Sequence, residues 1–139
     1  MSESVTTLLE NGIERYKKGE KPEDLIPVFQ DICDRAPKAA PAWASLAWLY
    51  LLTDKPKLAL KAAQKSVKLE PQAPQSRINL AIAMLETETS GVRQHVEAAQ
   101  QIISLDAQIR QDIEENIEDG LTRKPNWKSL ERIKNWLLT

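Results

Sequence analysis

The sequence predicts an all-α fold, and three observations support this prediction. Glycine occurs only four times in 139 residues, and no segment shows the alternation of β-branched residues that marks a strand. Apolar residues recur instead at helical spacing along most of the chain. Matching residues also recur 34 positions apart, as in Tyr16 and Tyr50 or Pro37 and Pro71. A fixed period of this length is typical of arrays of stacked structural units.

Composition and charge favour one globular domain with no nucleic-acid or membrane partner. The 19 lysines and arginines nearly balance the 20 acidic residues, so the overall charge attracts neither nucleic acid nor a membrane surface. Cys33 is the only cysteine, which excludes an internal disulfide and is typical of a reducing cytosol. Residues 1–4 carry no basic region followed by an apolar run, so no secretory signal is expected. We expect a cytoplasmic protein that inserts into no membrane.

One segment, residues 42–52, carries two apolar stripes on a single predicted helix. The first stripe has helical spacing and consists of Trp43, Leu46, Ala47 and Tyr50. The second consists of Ala44, Trp48 and Leu51, with Leu52 beside it. A helix that is apolar on both sides is either buried on both sides or buried on one side and open to a partner on the other.

The first stripe begins a longer series that continues into the next predicted helix. The series is Trp43, Leu46, Ala47, Tyr50, Ala59, Ala63, Ser66 and Pro71. It resembles the tetratricopeptide repeat, a helix–turn–helix unit with the pattern W-x2-L-G-x2-Y…A-x3-F…P. In this pattern the large residues fill the gap between paired helices, the small residues allow close approach, and the proline ends the second helix.

Shifting this pattern by 34 residues in each direction predicts four helix pairs. Leu9 takes the tryptophan position upstream and Arg77 takes it downstream, where two residues must be inserted in the turn 86–93. The fourth pair is degenerate, with Gly120 as a stop signal before a closing helix from Asn126. The predicted units cover about residues 6–39, 40–73, 74–109 and 110–139 of a single domain, 1–139. The resemblance implies a right-handed superhelix in which the first helix of each pair lines a concave face and the last unit acts as a cap.

Residues that could carry catalysis or bind a metal are few. His95 is the only histidine and aligns with the small-residue position of Ala59, so we interpret it as structural. Cys33 is interpreted as an inert packed thiol. The acidic residues of the fourth unit lack a calcium-binding loop and are expected to face solvent; they are Asp112, Glu114, Glu115, Glu118 and Asp119. We therefore predict a protein that is not an enzyme and uses no cofactor or metal.

The second apolar stripe predicts a partner-binding groove on the concave face. Its predicted apolar floor consists of Ala44, Trp48, Leu51, Leu52, Ile78, Ile82 and Leu85. Its predicted acidic ends consist of Glu10, Glu14, Glu114 and Glu118. Apolar residues on two adjacent inner helices would form a contiguous patch. The alternative is that superhelical curvature or the closing helix buries these side chains.

The resemblance implies a protein-interaction scaffold. Some members of the family grip the C-terminal carboxylate of heat-shock chaperones with basic and amide residues on their inner helices. The matching positions here are Glu10, Glu14, Ser45, Gln75 and Asn79. Only Asn79 suits a carboxylate, so we expect a different partner: a protein or peptide, in particular an amphipathic helix with basic flanks. The chain as a whole also resembles short cyanobacterial repeat proteins that help to build photosynthetic complexes, which favours an adaptor or assembly factor.

Two further surfaces leave alternatives open. The closing helix is basic and amphipathic, and it could pair with its copy in a homodimer or reach into the acidic-ended groove of another copy. The residues concerned are Lys128, Arg132 and Lys134 beside Trp127, Ile133 and Trp136. A second basic stripe, on the outer helix of the second unit, consists of Lys57, Lys61, Lys65 and Lys68. Solubility is the simplest interpretation of this stripe. Docking of an acidic protein is the alternative, whereas nucleic acid is disfavoured because no aromatic residues are interleaved.

Overall fold

The computed structural model describes residues 4–139, and these residues form eight α-helices and no strand. The helices are α1 (Val5–Lys17), α2 (Pro22–Arg35), α3 (Ala40–Leu52), α4 (Pro56–Leu69), α5 (Pro74–Glu86), α6 (Val92–Ser104), α7 (Ala107–Arg123) and α8 (Lys128–Leu138). The predicted all-α fold is therefore confirmed. Across the described residues no helix is both long enough and apolar enough to cross a bilayer. The secretory-signal prediction rests largely on residues 1–3, which lie outside the described residues.

The helix boundaries follow the 34-residue period through α5 and then shift. Helices α2 and α4 begin at Pro22 and Pro56, and α3 and α5 begin at Ala40 and Pro74. Helix α6 begins at Val92, two residues later than the period requires. This shift confirms the predicted insertion of two residues in the third turn.

Side-chain chemistry repeats with the same period even where the residue type changes. The indole Nε1 of Trp43 donates a hydrogen bond to the carbonyl of Pro37 over 2.9 Å. At the equivalent positions, Arg77 Nε donates to the carbonyl of Pro71 over 3.0 Å. Arg77 therefore supplies the same hydrogen bond to the turn after the preceding helix that Trp43 supplies in the unit before.

The core runs through the stacked inner helices, with α5 the most enclosed. Helix α5 packs against α3, α4, α6 and α8, and it is buried without interruption from Ile78 to Met84. Ala47 and Ala81 are both fully buried, as expected where neighbouring helices approach closely. Since interiors are close-packed, larger residues at these two positions would not fit without rearrangement.

The last helix pair departs from the regular array. Helix α8 packs against both α5 and α6, while side chains of α7 reach α1, α3 and α5 across the concave face. Gly120 does not end α7, which continues to Arg123; the prediction of a stop at Gly120 was wrong. A Cβ atom at Gly120 would lie 2.8 Å from the rings of Trp48 and from Leu130 Cδ2. The absence of a side chain at Gly120 thus allows α7 to approach Trp48 of α3 and Leu130 of α8 closely.

Helix α8, together with Trp127 just before it, buries one apolar face. Trp127, Leu130, Ile133 and Leu137 are all nearly or fully buried. Gln100 Nε2 on α6 also donates to the carbonyl of Trp136 over 2.9 Å. Trp127 and Ile133 are thus covered by the chain's own helices, whereas Lys128 and Arg132 are exposed and Trp136 is half-buried. The pairing of two copies through this helix stays a prediction.

Candidate functional site: a cavity on the concave face

A cavity of about 420 Å³ lies between the inner helices and α7. Its volume falls within the range of ligand-binding clefts, roughly 300–1,000 Å³. The residues that line it are Ile13, Tyr16 and Lys17 of α1, Phe29 of α2, Ala44, Ser45, Trp48 and Leu49 of α3, Gln75 and Asn79 of α5, and Glu115, Asn116, Asp119 and Arg123 of α7. Helix α7 thus leaves this part of the concave face unfilled.

Trp48 forms one wall of the cavity and is half-buried. Away from the cavity its ring packs against Trp127, with ring centroids 5.4 Å apart and planes inclined by 45°, a favourable geometry for aromatic pairs. Its Nε1 donates to the hydroxyl of Tyr16 over 2.8 Å. Trp48 is therefore held in one orientation while part of its surface remains open to the cavity.

Tyr16, Asp119 and Arg123 form a clasp that joins α1 to α7. The Tyr16 hydroxyl donates to Asp119 Oδ2, and Arg123 Nε donates to both Asp119 oxygens over 3.0 and 3.1 Å. Arg123 also lies over the Tyr16 ring, 3.8 Å from its centroid, and donates to the Tyr16 carbonyl. Burial and the hydrogen bond to Asp119 raise the pKa of Tyr16 above its ordinary value, so the hydroxyl remains protonated and keeps donating.

The C-terminal end of α7 is anchored to α3 by Lys124. Lys124 Nζ donates to the carbonyl of Leu51 over 2.9 Å and pairs with Asp54 at 2.6 Å. The same ammonium lies 4.6 Å from the centroid of the Trp127 ring. Clasp and anchor together keep α7 across the concave face.

A chain of amides runs along the opposite wall of the cavity. Asn116 Nδ2 on α7 donates to Gln75 Oε1, Gln75 Nε2 donates to Asn79 Oδ1, and Asn79 Nδ2 donates to the carbonyl of Ala44. The distances are 3.0, 2.7 and 3.0 Å. Gln75 and Asn116 are accessible and retain further donor or acceptor capacity, so they can pair with the backbone of a bound segment. Asn79 is fully buried and holds Gln75 in place.

The predicted floor of the groove is only partly correct. Ala44 and Trp48 line the cavity. Leu51, Ile78 and Ile82 are 0–1% exposed and belong to the core, so their assignment to an open floor was wrong. For Ile78 and Ile82 the reason is that α8 packs on α5 and covers its second apolar side, which was the alternative left open by the sequence. Leu52 and Leu85 are half-buried against the core and do not line the cavity.

The predicted acidic ends lie beside the cavity, on neighbouring positions of the same helices. Glu10 and Glu14 are exposed on α1 and do not line the cavity, and Glu14 lies 3.8 Å from Lys18. Glu114 pairs with Arg110, and Glu118 pairs with Lys134. Helix α7 turns Glu115 and Asp119 towards the cavity instead, because Ile113, Ile117 and Gly120 form its buried side.

Three residues that line the cavity were available from the family resemblance. Ser45, Gln75 and Asn79 occupy the inner positions at which related repeats hold a carboxylate, and all three face the cavity. The sequence did not predict them as site residues, because only Asn79 among the matching positions suits a carboxylate. The positions of these three residues in the repeat would have predicted the location of the site if no particular ligand had been assumed.

Neither of the two isolated reactive residues belongs to the cavity. His95 Nδ1 accepts a hydrogen bond from Arg77 Nη1 over 2.9 Å, and burial together with the Arg77 charge lowers the pKa of His95. Its predicted place inside the third helix pair is confirmed by its burial there. Burial raises the pKa of the Cys33 thiol to about 12, so this thiol remains protonated and unreactive.

Comparison with known proteins identifies the fold. No family model and no curated protein sequence matches the chain. The chaperone SycD of the type III secretion translocator of Yersinia enterocolitica, in its alternative dimer, gives a TM-score of 0.67 at 19% identity over 99% of this chain and 91% of SycD. SycD in complex with a peptide of the translocator YopD gives 0.67 at 19% identity, covering 99% and 92%.

A third similar structure is a named tetratricopeptide repeat. The first such repeat domain of Spaghetti (RPAP3), bound to the HSP90 peptide SRMEEVD, gives a TM-score of 0.56 at 19% identity, covering 97% of this chain and 94% of that one. At this identity the similarity shows the fold. The chain is a right-handed superhelix of tetratricopeptide-type helix pairs whose last pair is degenerate and forms a cap. The resemblance to photosynthetic assembly proteins stays a prediction.

Proposed function

We propose that this protein is a non-enzymatic interaction module that binds a peptide segment of a partner protein in the cavity between α1, α3, α5 and α7. The observation that carries the proposal is the cavity itself, which combines an aromatic wall at Trp48 with an amide wall at Gln75, Asn79 and Asn116. Apolar anchors with a few placed polar groups are the usual composition of a binding site. The peptide complexes of SycD and of the Spaghetti domain support the same use of this fold.

An extended segment suits the cavity better than the amphipathic helix predicted from the sequence. A helix with its side chains is about 10–12 Å across, so a bound helix would have to displace α7 from its clasp and anchor. An extended segment keeps α7 in place and presents free backbone donors and acceptors to the amide wall. In a cell, such a module would act as an adaptor or assembly factor in the cytoplasm.

The proposal is tested by filling the cavity from the α3 wall. Peptides are first selected from a displayed random library against the intact protein, and their affinities are then measured for variants. Ala44→Leu places additional volume beside Trp48, and we expect at least about tenfold weaker binding with little change in stability. The matched control is Gln101→Leu, which adds the same side chain at an exposed position of α6. Equal binding by wild type and Ala44→Leu, or no selected peptide at all, would contradict the proposal.

A further inference from the structure

Four lysines form a row on the outer face of α4. Lys57, Lys61, Lys65 and Lys68 are all exposed, and the row spans roughly 16 Å because each helical residue adds 1.5 Å. Helix α4 contains no acidic residue. Within residues 4–139, none of the four lysines takes part in an ion pair.

Folding does not explain this row. Like charges four residues apart destabilise a helix, and the row contains two such pairs. Elsewhere the chain places an acid four residues from an exposed base, as in Arg35 with Asp31 and Arg110 with Glu114. Among the described residues, no ion pair offsets the repulsion between the lysines of α4.

The repeat register shows that the basic surface is one helix wide. The outward positions of α2 that match the row are Glu23, Pro27, Asp31 and Asp34, all exposed. The matching positions of α6 are Arg93, Glu97, Gln101 and Ser104, also exposed. The basic row therefore lies between an acidic helix and one of mixed character.

We propose that the row on α4 docks an acidic helical segment of a partner protein. A bilayer or a nucleic-acid duplex is a broad anionic surface, and it would meet the acidic residues of α2 as well as the lysines. A single helix is narrow enough to contact α4 alone. Leu58, 46% exposed at the edge of the row, supplies an apolar contact for such a partner.

The spacing of the lysines favours a helical partner over an extended one. Four glutamates with the same spacing on a second helix repeat the steps of the row, because both elements rise 1.5 Å per residue. Alternate residues of an extended strand advance about 6.6–6.8 Å, so the fourth acidic residue would be out of register. Contacts of this kind are complementary charges at a surface and mainly set specificity and association rate.

The test uses two capped alanine-based helical peptides of identical composition. The first carries four glutamates at the spacing of the row, and the second carries them scattered around the helix. Binding to the full-length protein is followed by amide chemical shifts and by affinity at low and high salt. We expect the first peptide to change the amide chemical shifts of α4 and to bind about tenfold more tightly than the second. Its affinity should fall as the salt concentration rises.

Two double variants distinguish the row from general charge effects. Lys61→Ala with Lys65→Ala should weaken binding of the first peptide about tenfold. Lys128→Ala with Arg132→Ala removes two exposed cations with the same spacing on α8 and should change nothing. Equal effects of the two variants, equal binding of the two peptides, shifts confined to other helices, or tighter binding to phosphatidylserine vesicles would each overturn the proposal. The proposal does not depend on the cavity.

Discussion

Trp48 lies in two environments at once, and this determines what its substitution should do. One part of the ring faces the cavity, and the rest packs against Trp127 and beside Gly120. A residue confined to a binding surface would affect binding only, whereas a core residue would affect stability only. Because Trp48 contributes to both, its variants should affect the two properties to different degrees.

We predict that Trp48→Phe and Trp48→Ala separate these two contributions. Phenylalanine keeps an aromatic ring against Trp127 but loses the hydrogen bond to Tyr16, so we expect a loss of about 1 kcal/mol in unfolding free energy. Alanine removes the ring as well and should cost about 2–3 kcal/mol, less than a fully buried tryptophan, for which 3–5 kcal/mol is typical. Denaturant unfolding measures both values.

The binding data of the same variants complete this prediction. The selected peptides should bind Trp48→Phe with moderately reduced affinity and Trp48→Ala at least about thirtyfold more weakly. A Trp48→Ala variant that is as stable as wild type would show that the contact with Trp127 is not formed. A Trp48→Ala variant that is folded and binds the peptides with wild-type affinity would show that Trp48 is not part of the binding site.

At the scale of the helix, α7 is placed by polar contacts as much as by its narrow apolar side. Its buried residues are only Ile113, Ile117 and Gly120. The clasp with Tyr16 joins it to α1, whose only buried residue is Gly12. Loss of the contact between α1 and α7 should therefore destabilise these two helices more than it destabilises the inner helices α3 and α5.

We predict that Tyr16→Phe loosens α1 and α7 together. The variant keeps the ring under Arg123 but removes the hydroxyl that bonds Asp119 and Trp48, at an expected cost of about 1–2 kcal/mol. Amide hydrogen exchange should become faster in both helices and remain unchanged in α4. The control is Tyr50→Phe, whose hydroxyl accepts a single hydrogen bond from Gln30 and should cost less. Faster exchange in α1 alone would show that the clasp does not hold α7.

At the scale of the whole molecule, the sequence predicted well those features that depend on local pattern. Helix periodicity, the 34-residue spacing and the two-residue insertion before α6 all follow from residues close together in the chain. The repeat position of Arg77 was also correct, although its hydrogen bond to Pro71 was visible only in the structure. Local patterns are informative here because each unit contacts mainly its neighbours.

The site was predicted less well because it depends on where the last two helices lie. A regular array would have left Ile78 and Ile82 open, whereas α8 packs on α5 and buries them. The turn of α7 towards the cavity likewise depends on Gly120, which in sequence alone resembles a helix stop. Contacts between distant segments, such as Tyr16 with Asp119, carry no periodic signal in a single sequence.

The stability of Gly120→Ala tests most directly whether α7 lies across the concave face. Alanine inside an ordinary helix is more stable than glycine by roughly 0.5–1 kcal/mol. Here the added Cβ would meet Trp48 and Leu130 at 2.8 Å, so overpacking should lower the unfolding free energy by about 1–3 kcal/mol instead. Thr122→Ala, at an exposed position two residues further along α7, serves as the control and should be neutral or slightly stabilising. A Gly120→Ala variant more stable than wild type would contradict the close approach of α7 to Trp48, and with it the cavity that this approach encloses.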